Sequence, residues 1–326
     1  MGGNAIKNSR RIYKDEYNSI IVEILQLFPE YRMLPTKTYT DKDSFGDIDF
    51  IVATESFSDV KSLVKTRLGD NLEYHDNSMF FSFNYKNVQI DFNMIHPEDF
   101  MCMYNYSGDG DLGNFIGRVA RSLGFKYGHD GLSYELRLGG HYKRSINVSK
   151  DTKTILEFLG YDYDKWRKGF KTKDDIFEYA ASSTYFNSRY FSLENQSHND
   201  RTRNRKRVMY QEMIAYIESH NITPLDTLDS HTMIHHYQRA MEIFGSGFHR
   251  EVLQAIEKYE NDVFVSNYIN ANVIIERTGL SGQKLGKFIA KIKENKLWPD
   301  ANMLKTLSDD DRVKYVDNLI DECYKN

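Results

Sequence analysis

Three aspartates are the residues of this sequence best suited to chemistry. Asp47 and Asp49 are separated by one residue in "GDIDFIV", and Asp91 lies in "VQIDFNMI". Both segments predict β-strands, whose side chains alternate between two faces. Asp47 and Asp49 therefore share a face, and Asp91 joins them if both strands belong to one sheet. Carboxylates crowded in this way repel each other, and divalent cations such as Mg²⁺ relieve the repulsion.

Such a group of carboxylates points to phosphoryl chemistry. Two cations held about 4 Å apart can lower the barrier of an in-line displacement at phosphorus. One cation activates the attacking hydroxyl, and both neutralise charge on the phosphates. The alternative is a polar sheet face in contact with water, which explains Asp47 and Asp49 equally well. The third acid, on a second strand of matching polarity, favours the metal site.

The elements around these aspartates predict an α+β fold with a mixed sheet. Apolar spacing predicts a helix over 11–29, and a second helix is predicted with Ser58 as its N-cap and Gly69 as its stop. Two strands should form a hairpin around Lys86 and Asn87. Further segments follow in order: the helix "GNFIGRVARSLGF", the strand "LSYELRL" and the capped helix "SKDTKTILEFLG".

The pattern becomes mostly helical from about residue 170. We therefore predict an N-terminal helical segment over 1–30, a sheet-containing region over 31–168 and a helical domain over 169–326.

The composition predicts an intracellular, cytoplasmic protein with no membrane partner. The chain has 326 residues and a net charge of −4, and it has no apolar run long enough for a bilayer and no apolar signal core. Its two cysteines, Cys102 and Cys323, do not suggest a disulfide scaffold. Because the net charge is negative, any binding to nucleic acid must come from local basic patches.

The order of the motifs over residues 32–168 resembles the palm and thumb of family X DNA polymerases, the group around DNA polymerase beta. That group belongs to the nucleotidyltransferase superfamily. The motifs are "GDIDFIV", "VQIDFNMIHPEDF", "YNYSGDGDLGNFIGRVARSLGFKY" and "SKDTKTILEFLG". The resemblance implies a nucleotidyltransferase palm in which Asp47, Asp49 and Asp91 are catalytic and bind two Mg²⁺ ions, with Mn²⁺ as a substitute.

The resemblance also implies a nucleotide site. Asp91 would bind the catalytic metal and help to activate a primer 3′-hydroxyl. Gly46 precedes the first aspartate, and Tyr106, Ser107 and Gly108 match a segment that lies against the sugar and base of the incoming NTP or dNTP.

Two segments depart from the family pattern. Thr36 and Lys37 stand where the superfamily has Gly-Ser at the triphosphate. Lys37 would then hold a phosphate as a point charge, and Thr36 or Thr38 would supply a hydroxyl. Asn105 replaces the first aromatic residue of the pair that controls the sugar 2′ position. The choice between ribonucleotide and deoxyribonucleotide therefore stays open.

The strongest basic cluster lies in "NDRTRNRKRVMYQ". It contains Arg201, Arg203, Arg205, Lys206 and Arg207. On a helix, Arg203 and Arg207 would share a face, and arginines with aromatic residues just upstream suit a nucleic-acid backbone with stacked bases. A solvated helix face is the alternative. Residues 267–296 resemble the C-terminal end of tRNA nucleotidyltransferases, or form only a corner between two helices.

Several functions remain open from the sequence. The first is a nucleotidyltransferase that extends DNA, or that adds nucleotides to RNA or tRNA ends without a template. The second is a toxin-like nucleotidyltransferase that modifies a protein or a small molecule. The third is a non-enzymatic nucleic-acid-binding module with a relic palm.

Overall fold

The computed structural model describes residues 5–69, 71–223 and 230–325, apart from the side chains of 230–232. The chain forms two compact units. The first contains the residues up to Glu135 together with Ser145–Phe248, and the second contains Leu136–Arg144 and the residues from His249 onward. The α+β class is confirmed, whereas the division of the sequence at residues 30 and 168 stays a prediction.

A five-stranded mixed sheet is the centre of the first unit. Its strands are β2 (Arg32–Pro35), β4 (Asp47–Ala53), β5 (Tyr74–Asn77), β6 (Phe80–Tyr85) and β7 (Val88–Ile95). They lie in the order β2-β4-β7-β6-β5, in which only the β4–β7 pair is parallel. Two short strands, β1 (Ile12–Tyr13) and β3 (Ser44–Phe45), pair separately.

Helices α1 (Lys14–Leu27) and α2 (Phe57–Leu68) cover one face of this sheet. The apolar side chains Ile48, Phe50 and Val52 of β4 point into that core and are fully buried, as alternation along the strand predicts. The predicted start of α2 at Ser58 is wrong, because Phe57 is already helical and Ser56 occupies the cap position. Its predicted end at Gly69 is confirmed.

The predicted hairpin between β6 and β7 is confirmed. Lys86 and Asn87 have φ angles of +53° and +60°. Two successive left-handed residues are typical of the type I′ turn, whose twist matches that of the flanking strands. The turn therefore fixes the register of β7, and with it the face that Asp91 occupies.

The opposite face of the sheet changes character along the strands. Ile51 and Ile95 pack against Phe100 and Met103 of α3 (Phe100–Ser107), which follows a single 3₁₀ turn at Pro97–Asp99. Asp47, Asp49 and Asp91 lie earlier on the same strands and on the same face. The apolar half of the face thus anchors α3, and the polar half carries the carboxylates.

The rest of the first unit is mainly helical. After α4 (Leu112–Ser122) the strands β8 (Phe125–Gly128), β9 (Gly131–Leu138) and β10 (Tyr142–Ser149) form a three-stranded sheet. The end of β9 and the start of β10 fall within Leu136–Arg144, which belongs to the second unit. The helices that follow are α5 (Thr152–Phe158), α6 (Tyr163–Arg167), α7 (Lys173–Ala181), α8 (His198–Lys206), α9 (Val208–Ser219) and α10 (Ser230–Phe244). Helix α5 is capped as predicted, because the Asp151 carboxylate accepts a hydrogen bond from the Thr154 N–H at 2.8 Å.

The second unit has a helical core of its own. Its helices are α11 (Gly247–Ser266), α12 (Ala271–Thr278), α13 (Gly282–Glu294), α14 (Ala301–Lys305) and α15 (Asp309–Lys325). Among the described residues after Ser149 there are only helices and turns, as predicted for the region beyond 170. None of the helices in the described part of the chain is long and apolar enough to cross a membrane.

Candidate active site

The three aspartates meet on adjacent strands. Asp49 on β4 lies directly opposite Asp91 on β7, and Asp47 lies opposite Gln89. One carboxylate oxygen from each aspartate lies within 4.8 Å of the other two, so the group has the spacing to hold a metal ion. The convergence predicted from strand alternation is therefore confirmed, and the binding of metal stays a prediction.

Neutral amide groups orient two of the carboxylates. The Gln89 side chain donates through Nε2 to both oxygens of Asp91, at 2.9 Å each. Its own Oε1 accepts hydrogen bonds from the backbone N–H groups of Ala5 at 3.0 Å and Ile6 at 3.1 Å. Asn93 donates through Nδ2 to Asp49 Oδ1 at 3.1 Å. These bonds fix the side-chain rotamers without bringing positive charge into the group.

The electrostatics of the group favour a bound cation. Burial, followed by the charges of Asp47 and Asp91, raises the pKa of Asp49 to about 7. Burial also raises the pKa of Asp91 to about 6, against the hydrogen bonds from Ser82 and Gln89. Both shifts reflect the cost of collecting negative charge in a poorly hydrated site, and a divalent cation removes that cost.

The polar group extends across the sheet. Asp91 is in register with Ser82 on β6, and Ser82 is in register with His75 on β5. The charge of His75 lowers the pKa of Asp91. A row of polar side chains therefore crosses four strands at one level, starting from Asp49.

Sequence reasoning missed two residues near the carboxylates. The ammonium of Lys42 lies 4.6 Å from the centre of the Phe45 ring, and the Tyr17 ring stacks on Phe45 at 3.8 Å. Burial lowers the pKa of Lys42 while Asp47 and Asp49 raise it. Burial and the same two carboxylates raise the pKa of Tyr17 to about 12. Lys42 could have been noticed from its place five residues before Asp47.

The structure brings the two predicted nucleotide-binding segments together. The Thr36 N–H donates to the Asp49 carbonyl at 2.9 Å, which continues the strand pairing beyond β2. The Lys37 carbonyl accepts from the Asp109 N–H at 2.8 Å. A Cβ atom at Gly108 would lie only 3.1 Å from Cβ of Lys37, so glycine permits this close approach.

Aromatic rings surround the ammonium group of Lys37. Its Nζ lies 4.3 Å from the centre of the Trp166 ring and 5.0 Å from that of Tyr104. Burial lowers the pKa of Lys37, and the charge of Asp109 opposes this shift. Contact between Lys37 and a phosphate stays a prediction, and it would have to compete with two cation–π contacts.

The remaining residues of the predicted nucleotide site have different local environments. Gly46 separates β3 from β4, and Ser107 is the last residue of α3. The ring of Tyr106 makes edge contacts with Tyr127 at 5.4 Å and His129 at 4.8 Å.

The side chain of Asn105 contacts the start of α5. Its side chain donates to Thr152 Oγ1 at 2.8 Å. It therefore connects α3 to the start of α5.

The basic cluster is divided by the end of a helix. Arg201, Arg203, Arg205 and Lys206 belong to α8, but the helix ends at Lys206 and the backbone of Arg207 is extended. The prediction that Arg203 and Arg207 share a helix face is therefore wrong. Arg207 forms an ion pair with Asp111 at the start of α4. Nucleic-acid binding by this cluster stays a prediction.

Residues predicted for different ligands line one pocket. Tyr106, predicted to contact the nucleotide, and Arg203, predicted to contact nucleic acid, both line a pocket of about 440 Å³ in the first unit. Arg118 and Arg121 of α4 line it as well. Sequence reasoning passed over these two arginines because they do not belong to a run of charges.

Compared with the models of known protein families, the chain matches none, and none of the curated proteins matches it. The function must therefore be argued from the geometry of the site.

Proposed function

We propose that the protein is a metal-dependent nucleotidyltransferase. It would transfer a nucleoside monophosphate from an NTP or dNTP to a 3′-hydroxyl of nucleic acid and release pyrophosphate. The observation that carries the proposal is the meeting of Asp47, Asp49 and Asp91 within 4.8 Å on two adjacent strands. Oxygen ligands of this kind suit Mg²⁺ and Mn²⁺, which commonly bind through carboxylates together with substrate phosphates.

The residues around the aspartates support this chemistry. Asp47, Asp49 and Asp91 would hold two Mg²⁺ ions, which would supply charge neutralisation and activate the attacking hydroxyl. Gln89 and Asn93 hold the carboxylates in position through neutral hydrogen bonds. Such positioning is valuable because a phosphoryl-transfer enzyme works mainly by orientation and charge stabilisation.

The reaction is a simple exchange of bonds at the α-phosphorus. The 3′-oxygen forms a bond to that phosphorus, the bond to the bridging oxygen breaks, and pyrophosphate leaves with the electron pair. The proton of the hydroxyl passes to solvent.

A second candidate is transfer of the same nucleotidyl group to a protein or a small molecule. The observation that favours it is the ion pair between Arg207 and Asp111, which occupies one of the basic residues expected to hold a nucleic-acid acceptor. The third candidate is a nucleic-acid-binding module without activity. It would be favoured by Thr36 and Lys37, which stand where the superfamily has Gly-Ser.

A labelled-nucleotide assay tests the proposal. The protein is incubated with Mg²⁺, each labelled NTP or dNTP, and single-stranded DNA, primed DNA or tRNA. We expect label in one class of nucleic acid and its loss, by about a thousandfold or more, in Asp91→Asn. The control variant Asp59→Asn removes an exposed carboxylate from α2 and should keep full activity.

The outcomes separate the candidates. Label on the protein itself or on an added protein would move the acceptor to the second candidate. Normal transfer by Asp91→Asn would end the three-carboxylate model. Binding of nucleic acid without transfer of any nucleotide would leave only the binding module.

A further inference from the structure

Three arginines of the first unit share one carboxylate. Asp200, near the start of α8, lies 3.4 Å from Arg118, 3.3 Å from Arg121 and 3.6 Å from Arg203. The charges of these four side chains sum to +2. An ion pair needs one cation for each carboxylate, so this cluster holds more positive charge than its own structure requires.

Burial makes the excess charge costly. Arg118 is only 5% exposed although it lies in α4 among apolar residues such as Val119 and Phe115. Burial lowers the pKa of its guanidinium, and Arg121 and Arg203 lower it further while Asp200 raises it. A protein gains nothing in stability from a buried arginine beside two others, because desolvation and repulsion both oppose it. A ligand that brings negative charge would compensate this cost.

The cluster forms the wall of a pocket that could admit such a ligand. The pocket has a volume of about 440 Å³ and is also lined by Lys126 and His129. Asp130 and Asp200 are the acids among its lining residues, against Arg118, Arg121, Arg203 and Lys126. The pocket therefore has a net positive lining, and Tyr106 and Asn114 add further polar groups.

The pocket lies along the same sheet as the aspartates. Ile95 lines it and shares a face of β7 with Asp91, four residues earlier. At about 3.3 Å per residue, the two positions are roughly 13 Å apart along the strand. One ligand of nucleotide size or larger could reach from the pocket toward the carboxylates.

We propose that this pocket binds a phosphate group, carried either by a free polyphosphate or by a nucleic-acid backbone. Guanidinium groups match the tetrahedral oxygens of phosphate with paired N–H donors. The binding is independent of the metal site, since none of the three aspartates lines the pocket. The inference therefore goes beyond the proposed transferase activity and holds whether or not that activity exists.

Calorimetric titration in the presence of EDTA tests this binding without any metal. The probes are inorganic pyrophosphate and a short oligodeoxynucleotide without a terminal phosphate. Arg203→Gln and Arg121→Gln each remove one partly exposed arginine of the pocket and should weaken binding by about tenfold, as expected for the loss of one charge-assisted contact. Arg189→Gln is the matched control, because Arg189 is an exposed arginine of the first unit that does not line the pocket.

A fourth variant acts in the opposite direction. Asp200→Asn removes the carboxylate that competes with the ligand and should tighten binding. The probe should also raise the melting temperature of Asp200→Asn by more than that of the wild type. This measurement tests the site without replacing Arg118, a buried residue whose loss could prevent folding.

The probes identify the source of the phosphate. Binding of pyrophosphate that Arg203→Gln weakens about tenfold supports a free polyphosphate ligand. Binding of the oligonucleotide alone, weakened to the same extent, supports a nucleic-acid backbone. Binding of neither probe would overturn the proposal. Equal losses in Arg203→Gln and Arg189→Gln would also overturn it, because they would show that the probe is attracted by the overall charge of the protein and does not bind in the pocket.

Discussion

The first unit contains two clusters of like charge that are built in different ways. The aspartates stand on neighbouring strands, whose spacing is fixed by backbone hydrogen bonds, so their short side chains cannot move far apart. The arginines project from α4 and α8 on long, flexible side chains and have Asp200 as a counter-charge. The first cluster is thus rigid and is organised by neutral amides, whereas the second can rearrange around a new anion.

The difference predicts different responses to ions. A rigid group of acids should gain most from a small cation that fits between its oxygens. The arginines can adjust their positions, and Asp200 already neutralises part of their positive charge. They should therefore respond to larger anions.

Asp49→Asn should stabilise the protein when metal is absent. The change removes one buried charge while Oδ1 can still accept the hydrogen bond from Asn93. We expect the free energy of unfolding in EDTA at about pH 8 to rise by about 2 kcal/mol, measured by urea denaturation. Mg²⁺ should raise the melting temperature of the wild type but have little effect on the variant. A less stable variant, or the same response to Mg²⁺, would contradict the repulsion argument.

Arg207→Gln should affect stability and leave acceptor binding unchanged. Arg207 is half-buried in an ion pair with Asp111, so its loss leaves a largely buried carboxylate without this partner. We expect a loss of about 1–2 kcal/mol in the free energy of unfolding. Arg203→Gln should instead reduce the slope of log affinity against log salt by about 0.7–0.9. If Arg207→Gln changes the salt slope as well, its ion pair is broken when the acceptor binds.

A buried histidine beside an arginine on α10 predicts a dependence of stability on pH. His236 is buried, its Nδ1 lies 3.1 Å from Arg239, and the rings of Tyr185 and His235 are next to it. Burial, followed by the charges of Arg239 and His235, lowers the pKa of His236 from 6.5 to about 4. The folded state therefore binds fewer protons than the unfolded state between these values.

Stability contributed by His236 should be full above its unfolded pKa and should be lost as the pH falls. At about pH 5.5 the expected loss relative to neutral pH is about 1 kcal/mol. Denaturation curves at several pH values should show a flatter dependence in His236→Gln than in the wild type. An equally steep dependence in the variant would assign the effect to other groups.

Lys42→Met should increase the affinity for metal. The charge of Lys42 interacts with Asp47 and Asp49 and competes with any cation bound between them. Because the lysine is only half-buried, we expect an increase of only about threefold in Mg²⁺ affinity. Lys86→Met, on the exposed hairpin turn where Lys86 pairs with Glu23, is a suitable control and should leave the affinity unchanged. Weaker metal binding in Lys42→Met would mean that the lysine positions the carboxylates.

The sequence was sufficient where structure depends on local alternation. The faces of β4 and β7 follow from the period of two, and the hairpin at Lys86–Asn87 sets the register that brings Asp91 beside Asp49. The N-cap of α2 was misplaced by two residues, at Ser58 instead of Ser56, because a serine inside the first turn is as plausible a cap as the serine before it.

Contacts between distant segments could not be derived in this way. Lys42 and Tyr17 come close to the aspartates through the pairing of β1 with β3, two strands of two residues each. The pairing of Arg207 with Asp111 depends on where α8 ends. Arg118 did leave a signal, because a single charge within the apolar stripe of α4 indicates a buried partner.

The hydrogen bonds of Gln89 have a practical consequence for handling the protein. One end of this amide holds Asp91 and the other end is held by the N–H groups of Ala5 and Ile6. Trimming the chain to Lys7 would remove both donors and allow the amide to rotate, which would turn an oxygen toward a carboxylate. Affinity tags and cleavage sites are therefore better placed at the C-terminus, and preparations should be checked by mass spectrometry for clipping near the start of the chain.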